Sequence, residues 1–172
     1  MFKMNFLQMR TDSALKKNKT QRSSKPYKQA ATVGILFTVE DKQKHLDIKE
    51  FIQHLEQDGK KVQVLEYLPE KKENYEFKFD FFTTKELSFW GTLDSPIVEK
   101  FIDTPFDYLF NIDKQPHPLI LHLLARSKAH CRIGRYAQEG ETYFEMMIEQ
   151  NGTNKGLIET MYNYTKQLRG RI

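Results

Sequence analysis

The sequence has one cysteine, no long apolar run and none of the glycine-rich motifs that bind phosphates. A lone Cys131 cannot form an intramolecular disulfide or supply a cysteine-based zinc site, which fits a reducing compartment. No stretch approaches the roughly 20 apolar residues that a membrane-spanning helix needs. Polar residues interrupt the apolar ones at the N-terminus, so no signal peptide is indicated. We therefore expect a cytoplasmic protein.

Motifs for catalysis and cofactors are also missing. The sequence contains neither G-x-G-x-x-G nor G-x-x-x-x-G-K-[ST], which excludes the common dinucleotide and P-loop phosphate sites. His117, His122 and His130 do not follow a metal-ligand spacing. Cys131 is interpreted as a buried apolar residue rather than a reactive thiol. These absences favour a non-catalytic protein without a cofactor or a bound metal.

What the sequence does contain, from Thr32 onwards, is an alternation of strand-like and helix-like segments. "TVGILFTV" is a continuous apolar run, typical of a strand covered on both faces. "LDIKEFIQHLEQDGK" has apolar residues at helical spacing with Gly59 at its end, and "KVQVLEYL" is a second strand. A strand, a helix and a strand in this order imply a parallel pair.

The second half of the chain follows the same order. "FDYLFNI" and "HCRIGRY" are interpreted as strands on either side of the helix "HPLILHLLARSKA". "SPIVEKFID" begins a helix with Ser95 as N-cap and proline in the first turn. "TYFEMMIEQ" is interpreted as a strand, and a last amphipathic helix ends in Gly170. The pattern predicts an α/β fold over residues 32–172, a Rossmann-like three-layer domain with a mainly parallel sheet.

The net charge of +4 is unevenly distributed. Residues 1–30 carry eight basic side chains and one acidic side chain, whereas the rest of the chain carries 19 basic and 22 acidic ones. Within the N-terminal segment, residues 1–31, the stretch 14–31 is also polar and poor in aliphatic side chains, so it cannot bury enough surface to fold alone. We expect this segment to be a flexible basic arm that contains at most a short amphipathic helix around residues 2–15.

A basic arm is a binding feature for polyanions. Its Thr, Ser, Asn and Lys residues, without a sustained apolar face, favour RNA over lipid. We therefore predict a non-catalytic RNA-binding module, ribosome-associated by analogy with other small domains that carry basic arms. Tyr27, Phe2 and Phe6 could add base stacking. The expected phosphate contacts, interchangeable and replaceable by serine without unfolding the domain, are Lys16, Lys17, Lys19, Arg22, Lys25 and Lys28.

Three other interpretations remain open at this point. The arm could be solvated without a partner, it could attach to an anionic membrane surface, or the protein could be a protein-interaction scaffold. The membrane is the less expected partner. The enzyme alternative comes from the acidic turns that follow two of the predicted strands.

Open α/β sheets bind ligands beyond the carboxyl ends of their strands. The alternative function is therefore a small enzyme or enzyme remnant that binds a phosphorylated or sugar-nucleotide ligand between residues 39–46 and 111–116. Asp113 would be its base. The competing interpretation is structural. Asp113 would cap the following helix, and Gly134 would allow a close approach to the backbone at the end of its strand. The ligand pocket would consist of Asp41, Asp113, Arg132, Arg135 and Tyr136.

Residues 106–136 resemble a stretch in the N-terminal Rossmann-like half of heptosyltransferase-type GT-B glycosyltransferases. A GT-B enzyme binds its sugar nucleotide largely in a second domain, and only 36 residues follow Tyr136. The resemblance therefore implies a structural rather than a catalytic relationship. It is carried by Phe106, Asp107, Ile112, Asp113, Leu123, Leu124, Ala129, Arg132, Ile133 and Gly134.

Residues 32–172 are more similar to a family of short, uncharacterised bacterial proteins that have a basic N-terminal tail. This resemblance covers most of the chain and implies a Rossmann-like domain of no known activity. The shared residues are Gly34–Phe37, Asp80–Thr83, Lys85, Leu87, Gly91, Ser127–Ala129, Gly134–Tyr136 and Met147–Ile148.

Overall fold

Six parallel strands form one sheet in the computed structural model, which describes residues 1–75 and 78–169. The strand order is β3-β2-β1-β4-β5-β6. This confirms the predicted α/β fold, with a sheet that is entirely parallel in the described residues. The strands are β1 (Thr32–Thr38), β2 (Lys61–Tyr67), β3 (Asp80–Phe82), β4 (Tyr108–Asn111), β5 (Arg132–Arg135) and β6 (Met146–Ile148).

Helices cover both faces of this sheet. They are α1 (Phe2–Lys17), α2 (Lys42–Gln57), α3 (Pro96–Asp103), α4 (Pro118–Arg126) and α5 (Asn154–Lys166). The α2 and α5 helices share one apolar cluster with the sheet, and α3 and α4 share another. The α1 helix packs on α4. Of the helices in the described residues, none has the length and apolar character needed to cross a membrane.

The continuous apolar run of β1 is explained by these two layers. Val33, Ile35 and Phe37 pack towards α2 and α5, whereas Leu36 packs towards α3 and α4. Successive side chains of a strand point to opposite faces, so a strand buried on both faces has no polar positions to alternate with.

The predicted helices begin and end within a few residues of the observed ones. The α2 helix begins at Lys42, four residues before the predicted segment, because the Asp41 side chain accepts a hydrogen bond from the Lys44 amide. It is followed by Gly59 at a φ of 81°, which only glycine adopts without strain. The α5 helix ends at Lys166, and the predicted end at Gly170 lies outside the described residues.

The N-terminal segment, predicted to be a flexible arm, packs against the rest of the chain. Leu7 of α1 is fully buried in the α3–α4 cluster. The Asn18 amide group donates to the carbonyls of Ala125 and Ser127, and the Ser23 amide donates to the carbonyl of His130. The expectation therefore needs correction. The α4 helix provides the apolar surface on which α1 packs, and Tyr27 and Ala30 are buried in the α2–α5 cluster.

Candidate nucleic-acid interface

The six basic residues predicted as phosphate contacts fall into two groups in the structure. The side chains of one group are exposed, and those of the other hold the N-terminal segment in place. Arg22 and Lys25 form the second group. The first group consists of Lys16, Lys17, Lys19 and Lys28.

Arg22 binds the chain that follows α4. Its guanidinium donates to the carbonyls of Ser127 and Ala129 and lies 3.5 Å from the Glu145 carboxylate. Burial, and next the nearby guanidinium of Arg132, lower the pKa of Arg22 to about 10. The side chain stays charged at neutral pH, but its donors are used within the protein.

Lys25 is tied to the start of the sheet. Its ammonium lies 2.8 Å from an Asp107 carboxylate oxygen, and the other oxygen of Asp107 accepts from the Ala31 amide. These contacts hold the pKa of Asp107 below its usual value although burial raises it. Arg22 and Lys25 are therefore not interchangeable with the exposed lysines. Tyr27, considered above for stacking, is buried and donates its hydroxyl to Asp58 at 2.6 Å.

Two exposed lysines of the N-terminal segment line a groove together with the end of α4. The groove consists of two adjoining recesses of about 320 and 500 Å³ that share Lys17 and Arg126. Glu99 and Asp103 also line it, 2.8 Å from Arg126 and 3.0 Å from Lys128 respectively. We call this surface the basic groove, and its basic residues are Arg10, Lys17, Lys19, Arg126 and Lys128.

Five basic and two acidic side chains line the basic groove. His122 lies at its base and adds no charge, because burial, and next Arg126 and Arg10, lower the pKa of its imidazole to about 4. The Thr11 hydroxyl donates to the Leu7 carbonyl, so the His122 Nδ1 atom, 3.0 Å away, donates to Thr11. The positive charge of the groove therefore comes from its lysine and arginine side chains and not from His122.

Sequence reasoning missed Arg10, Arg126 and Lys128 as members of this surface. Arg126 lies in the last turn of α4, where a basic side chain is commonly explained by the helix dipole. The signal that points to Arg126 and Lys128 is the concentration of basic residues at the C-terminal ends of α1 and α4, whereas Arg10 lies in the middle of α1. Only the packing of α1 on α4 shows that these ends meet.

The predicted ligand pocket at the carboxyl end of the sheet is filled by the protein itself. Asp113 is 3% exposed and accepts from the Thr38 amide at 2.9 Å and the Thr38 hydroxyl at 3.2 Å. It also accepts from Lys44 at 2.8 Å and from Asn111 at 3.0 Å. A carboxylate has about four acceptor positions, so none of those of Asp113 is left for a substrate.

Lys44 closes the same network from α2. Its ammonium donates to the Thr38 carbonyl, to Asp113 and, at 2.6 Å, to Glu40. All three ammonium protons are therefore used, and the side chain is fully buried. The network lies where the strand order reverses between β1 and β4, which is the usual ligand crevice of such sheets.

The structure does not bring the five predicted pocket residues together. Arg135 donates to the carbonyls of Gln150 and Lys114, and Tyr136 is half exposed. Arg132 lies at the other end of β5, where it pairs with Glu145 at 2.7 Å. The remaining member, Asp41, caps α2. Asp113 does not cap α4, because the side chain of His117 does so instead.

Two further residues of the "HCRIGRY" segment have structural roles. A β carbon at Gly134 would lie 2.3 Å from the Phe144 ring, which confirms the close approach inferred from the sequence. Burial raises the pKa of Cys131 to about 11, so this thiol is not a nucleophile at neutral pH. Across residues 1–75 and 78–169, no group of three or more His, Cys, Asp or Glu side chains is placed to hold a metal ion.

The strand order, with its reversal between β1 and β4, defines a doubly wound α/β protein of the Rossmann type. The chain belongs to a family of unknown function, DUF6913, whose model matches residues 3–168. The matched range includes α1 and the segment after it. Neither a curated protein nor a solved structure matches the chain.

Proposed function

We propose that the protein is a non-catalytic RNA-binding module of the cytoplasm, and that its target is structured RNA of the ribosome. The observation that carries this proposal is the basic groove. Lys17 and Lys19 from the N-terminal segment line it together with Arg126 and Lys128 from the end of α4. Basic side chains outnumber acidic ones there, although residues 31–172 as a whole carry more acidic than basic residues.

The lysines at the C-terminal end of α1 and just after it are available to a ligand. Lys16, Lys17 and Lys19 are exposed, and no acidic group of the described chain lies within 4 Å of their ammonium groups. A phosphate that binds here does not have to displace an internal partner. Each such contact releases counterions, so affinity should fall steeply with salt. Phosphate contacts alone give dissociation constants of roughly 10⁻⁴ to 10⁻⁶ M at physiological salt.

The test compares two triple variants. Lys17 and Lys19 of the basic groove and the adjacent Lys16 are replaced by serine in the groove variant, and exposed lysines of other elements, Lys42, Lys61 and Lys114, are replaced in the control. Both lose three positive charges, and Arg22 and Lys25 stay in place because they hold the fold. We expect the groove variant to bind labelled ribosomal RNA at least about tenfold more weakly than the control, since it lacks up to three phosphate contacts.

Sedimentation of a cell lysate through a sucrose gradient provides the second measurement. The protein should migrate with ribosomal particles at low salt, and the groove variant should stay at the top. The proposal is wrong if the unmodified protein stays at the top at low salt. It is also wrong if the groove variant migrates with the particles as fully as the control does.

A second candidate function has one observation in its favour. The side-chain oxygens of Asn111 and Asn154 are buried without a hydrogen-bond partner beside the network of Lys44 and Asp113. We propose as the alternative that a phosphorylated or sugar-nucleotide ligand binds there through hydroxyl groups that donate to these two oxygens. Thermal-shift measurements with nucleotides and sugar nucleotides test it. The alternative fails if no ligand raises the midpoint, or if Asn111→Ala leaves the shift unchanged.

A further inference from the structure

An exposed aromatic surface lies at the other end of α1 from the lysines. The turn at residues 88–92 places two rings beside two rings of the helix. The ring centroids of Phe6 and Trp90 lie 5.2 Å apart, as do those of Phe89 and Trp90. Phe2 lies 6.4 Å from Phe89. We call this surface the aromatic patch, and its members are Phe2, Phe6, Phe89 and Trp90.

Three of the four rings of the aromatic patch are unusually exposed, and Phe6 is partly buried. Phe2 is 63% exposed, Phe89 51% and Trp90 62%. Most apolar side chains of this size are buried in a stable fold, and a cluster of exposed ones marks an interaction site. The patch is therefore a surface on which a partner can bind.

The turn that carries Trp90 is held firmly against α1. Arg10 donates to the Trp90 carbonyl at 2.8 Å, and the Thr92 amide donates to the Ser88 hydroxyl at 3.0 Å. Gly91 has a φ of 73°, and a β carbon there would lie 2.5 Å from the Leu7 amide nitrogen. The aromatic side chains are thus presented by a fixed backbone.

The aromatic patch and the basic groove form one continuous surface. Arg10 and Ser13 line both the groove and the apolar recess between Phe6 and Trp90. Along α1, aromatic residues give way to lysines over about 20 Å, at roughly 1.5 Å per residue. A ligand for the whole surface must therefore offer flat apolar groups at one end and negative charges at the other.

We infer that this surface binds single-stranded RNA, with unpaired bases stacked on Trp90 and its neighbours and phosphates in the basic groove. The inference rests on the proposed function and adds the class of RNA that is bound. Aromatic side chains stack on any unpaired base, whereas the bases of a duplex are stacked on one another and inaccessible. The occupant is thus an unpaired segment of the structured RNA.

A nucleic-acid strand fits this surface better than a lipid bilayer does. The anion-binding groups line a groove between α1 and the end of α4, where the Arg126 side chain is 29% exposed beside Glu99. A flexible strand can follow the groove and reach Arg126 as well as the exposed lysines, whereas a flat bilayer surface reaches mainly the exposed lysines. The charge complementarity also favours a strand, because a strand places a phosphate beside every base.

Trp90 is the single tryptophan of the chain, so its fluorescence reports on the patch directly. The unmodified protein is titrated with a short oligouridylate, with an RNA duplex of the same length and with vesicles of phosphatidylcholine and phosphatidylserine. We expect the oligouridylate to quench the emission of Trp90. The duplex, which the groove alone binds, should leave the emission nearly unchanged.

Variants separate stacking from other apolar contacts. Trp90→Leu and Phe89→Leu keep an apolar side chain but remove a ring, whereas Met9→Ala removes exposed apolar surface of the same recess without removing a ring. With labelled RNA, Trp90→Leu should bind the oligouridylate about tenfold more weakly and the duplex as before. Met9→Ala removes an apolar contact but no stacking partner, so it should weaken oligouridylate binding much less than Trp90→Leu does and leave duplex binding unchanged. Circular dichroism melts verify that the variants fold. If Trp90→Leu does not fold, the quenching of Trp90 in Phe89→Leu provides the second measurement.

The outcomes distinguish the two proposals. If the protein binds neither RNA, the proposed function fails and this inference fails with it. If RNA binds through the groove lysines but Trp90 emission and the affinity of Trp90→Leu are unchanged, only this inference is wrong. Loss of oligouridylate affinity in Met9→Ala as large as in Trp90→Leu also overturns it. So does a blue shift of the emission with the vesicles and no response to RNA.

Discussion

Two charged regions of this protein use the same residue type in opposite ways. Lys44, at the carboxyl end of the sheet, is fully buried and donates to three oxygens. Lys17, in the basic groove, is exposed and has no ion-pair partner in the described chain. A buried charge needs internal partners to offset its loss of hydration, whereas an exposed one keeps its water until a ligand arrives. The sheet end is therefore closed, and the groove is open.

The largest expected loss of stability comes from removing Lys44 from the closed region. Lys44→Met leaves the Asp113 carboxylate buried beside an apolar side chain, and removal of one partner of a buried pair costs about 3–5 kcal/mol. Lys17→Met should change the free energy of unfolding by less than about 0.5 kcal/mol. Urea denaturation measures both. Adding Asp113→Asn to Lys44→Met should recover part of the loss, and equal effects of the two lysine variants would contradict the comparison.

The next effect concerns the turn that carries the aromatic patch. Gly91→Ala forces alanine into a left-handed conformation and places its β carbon against the α1 backbone, which should cost about 3 kcal/mol. Gly59 is the matched control, because its φ is 81° and no atom lies within 4 Å of an added β carbon. Gly59→Ala should cost only about 1 kcal/mol. Thermal melts of both variants test this, and a smaller loss for Gly91→Ala than for Gly59→Ala would be inconsistent with the packing described.

A smaller effect separates structural from available basic residues in the N-terminal segment. Arg22→Ser removes the donors to the Ser127 and Ala129 carbonyls and should lower the free energy of unfolding by about 2 kcal/mol. Lys16→Ser should leave it unchanged within about 0.5 kcal/mol. Chemical denaturation is the measurement. If Arg22→Ser and Lys16→Ser have the same stability, the two residues are interchangeable and the distinction is wrong.

The last effect, which develops gradually with pH, is a pH dependence at the base of the groove. The imidazole of His122 has a pKa of about 4 in the folded protein and about 6.5 when unfolded. Between these values the unfolded chain binds the additional proton, so stability falls as pH drops from 6.5 towards 4. The contribution is at most about 1.4 kcal/mol per pH unit. His122→Gln should show a shallower decline in denaturation midpoints from pH 7 to pH 5, and an identical decline would contradict the assignment.

The sequence alone predicted the sheet and its helices well, because buried strands and helix ends are visible as patterns of neighbouring residues. The apolar run at β1, the Ser95 cap of α3 and Gly59 after α2 are each explained by neighbours within a few residues. The contacts of the predicted pocket residues could not be inferred in this way. Asp113 follows a strand as predicted, but its engagement by Lys44 joins residues 69 positions apart.

The sequence by itself determined the alternation of strands and helices, and with it a mainly parallel sheet, whereas the order of the strands is a property of the tertiary structure. It also determined that basic charge is concentrated near the N-terminus. Only the tertiary structure decided which of these charges are available. The packing of α1 on α4 brings Lys17 beside Arg126 in an open groove, and the packing of α2 on the sheet buries Lys44 against Asp113. Partners far apart in sequence make that difference, because the local residues around a lysine do not determine whether a distant carboxylate will meet it.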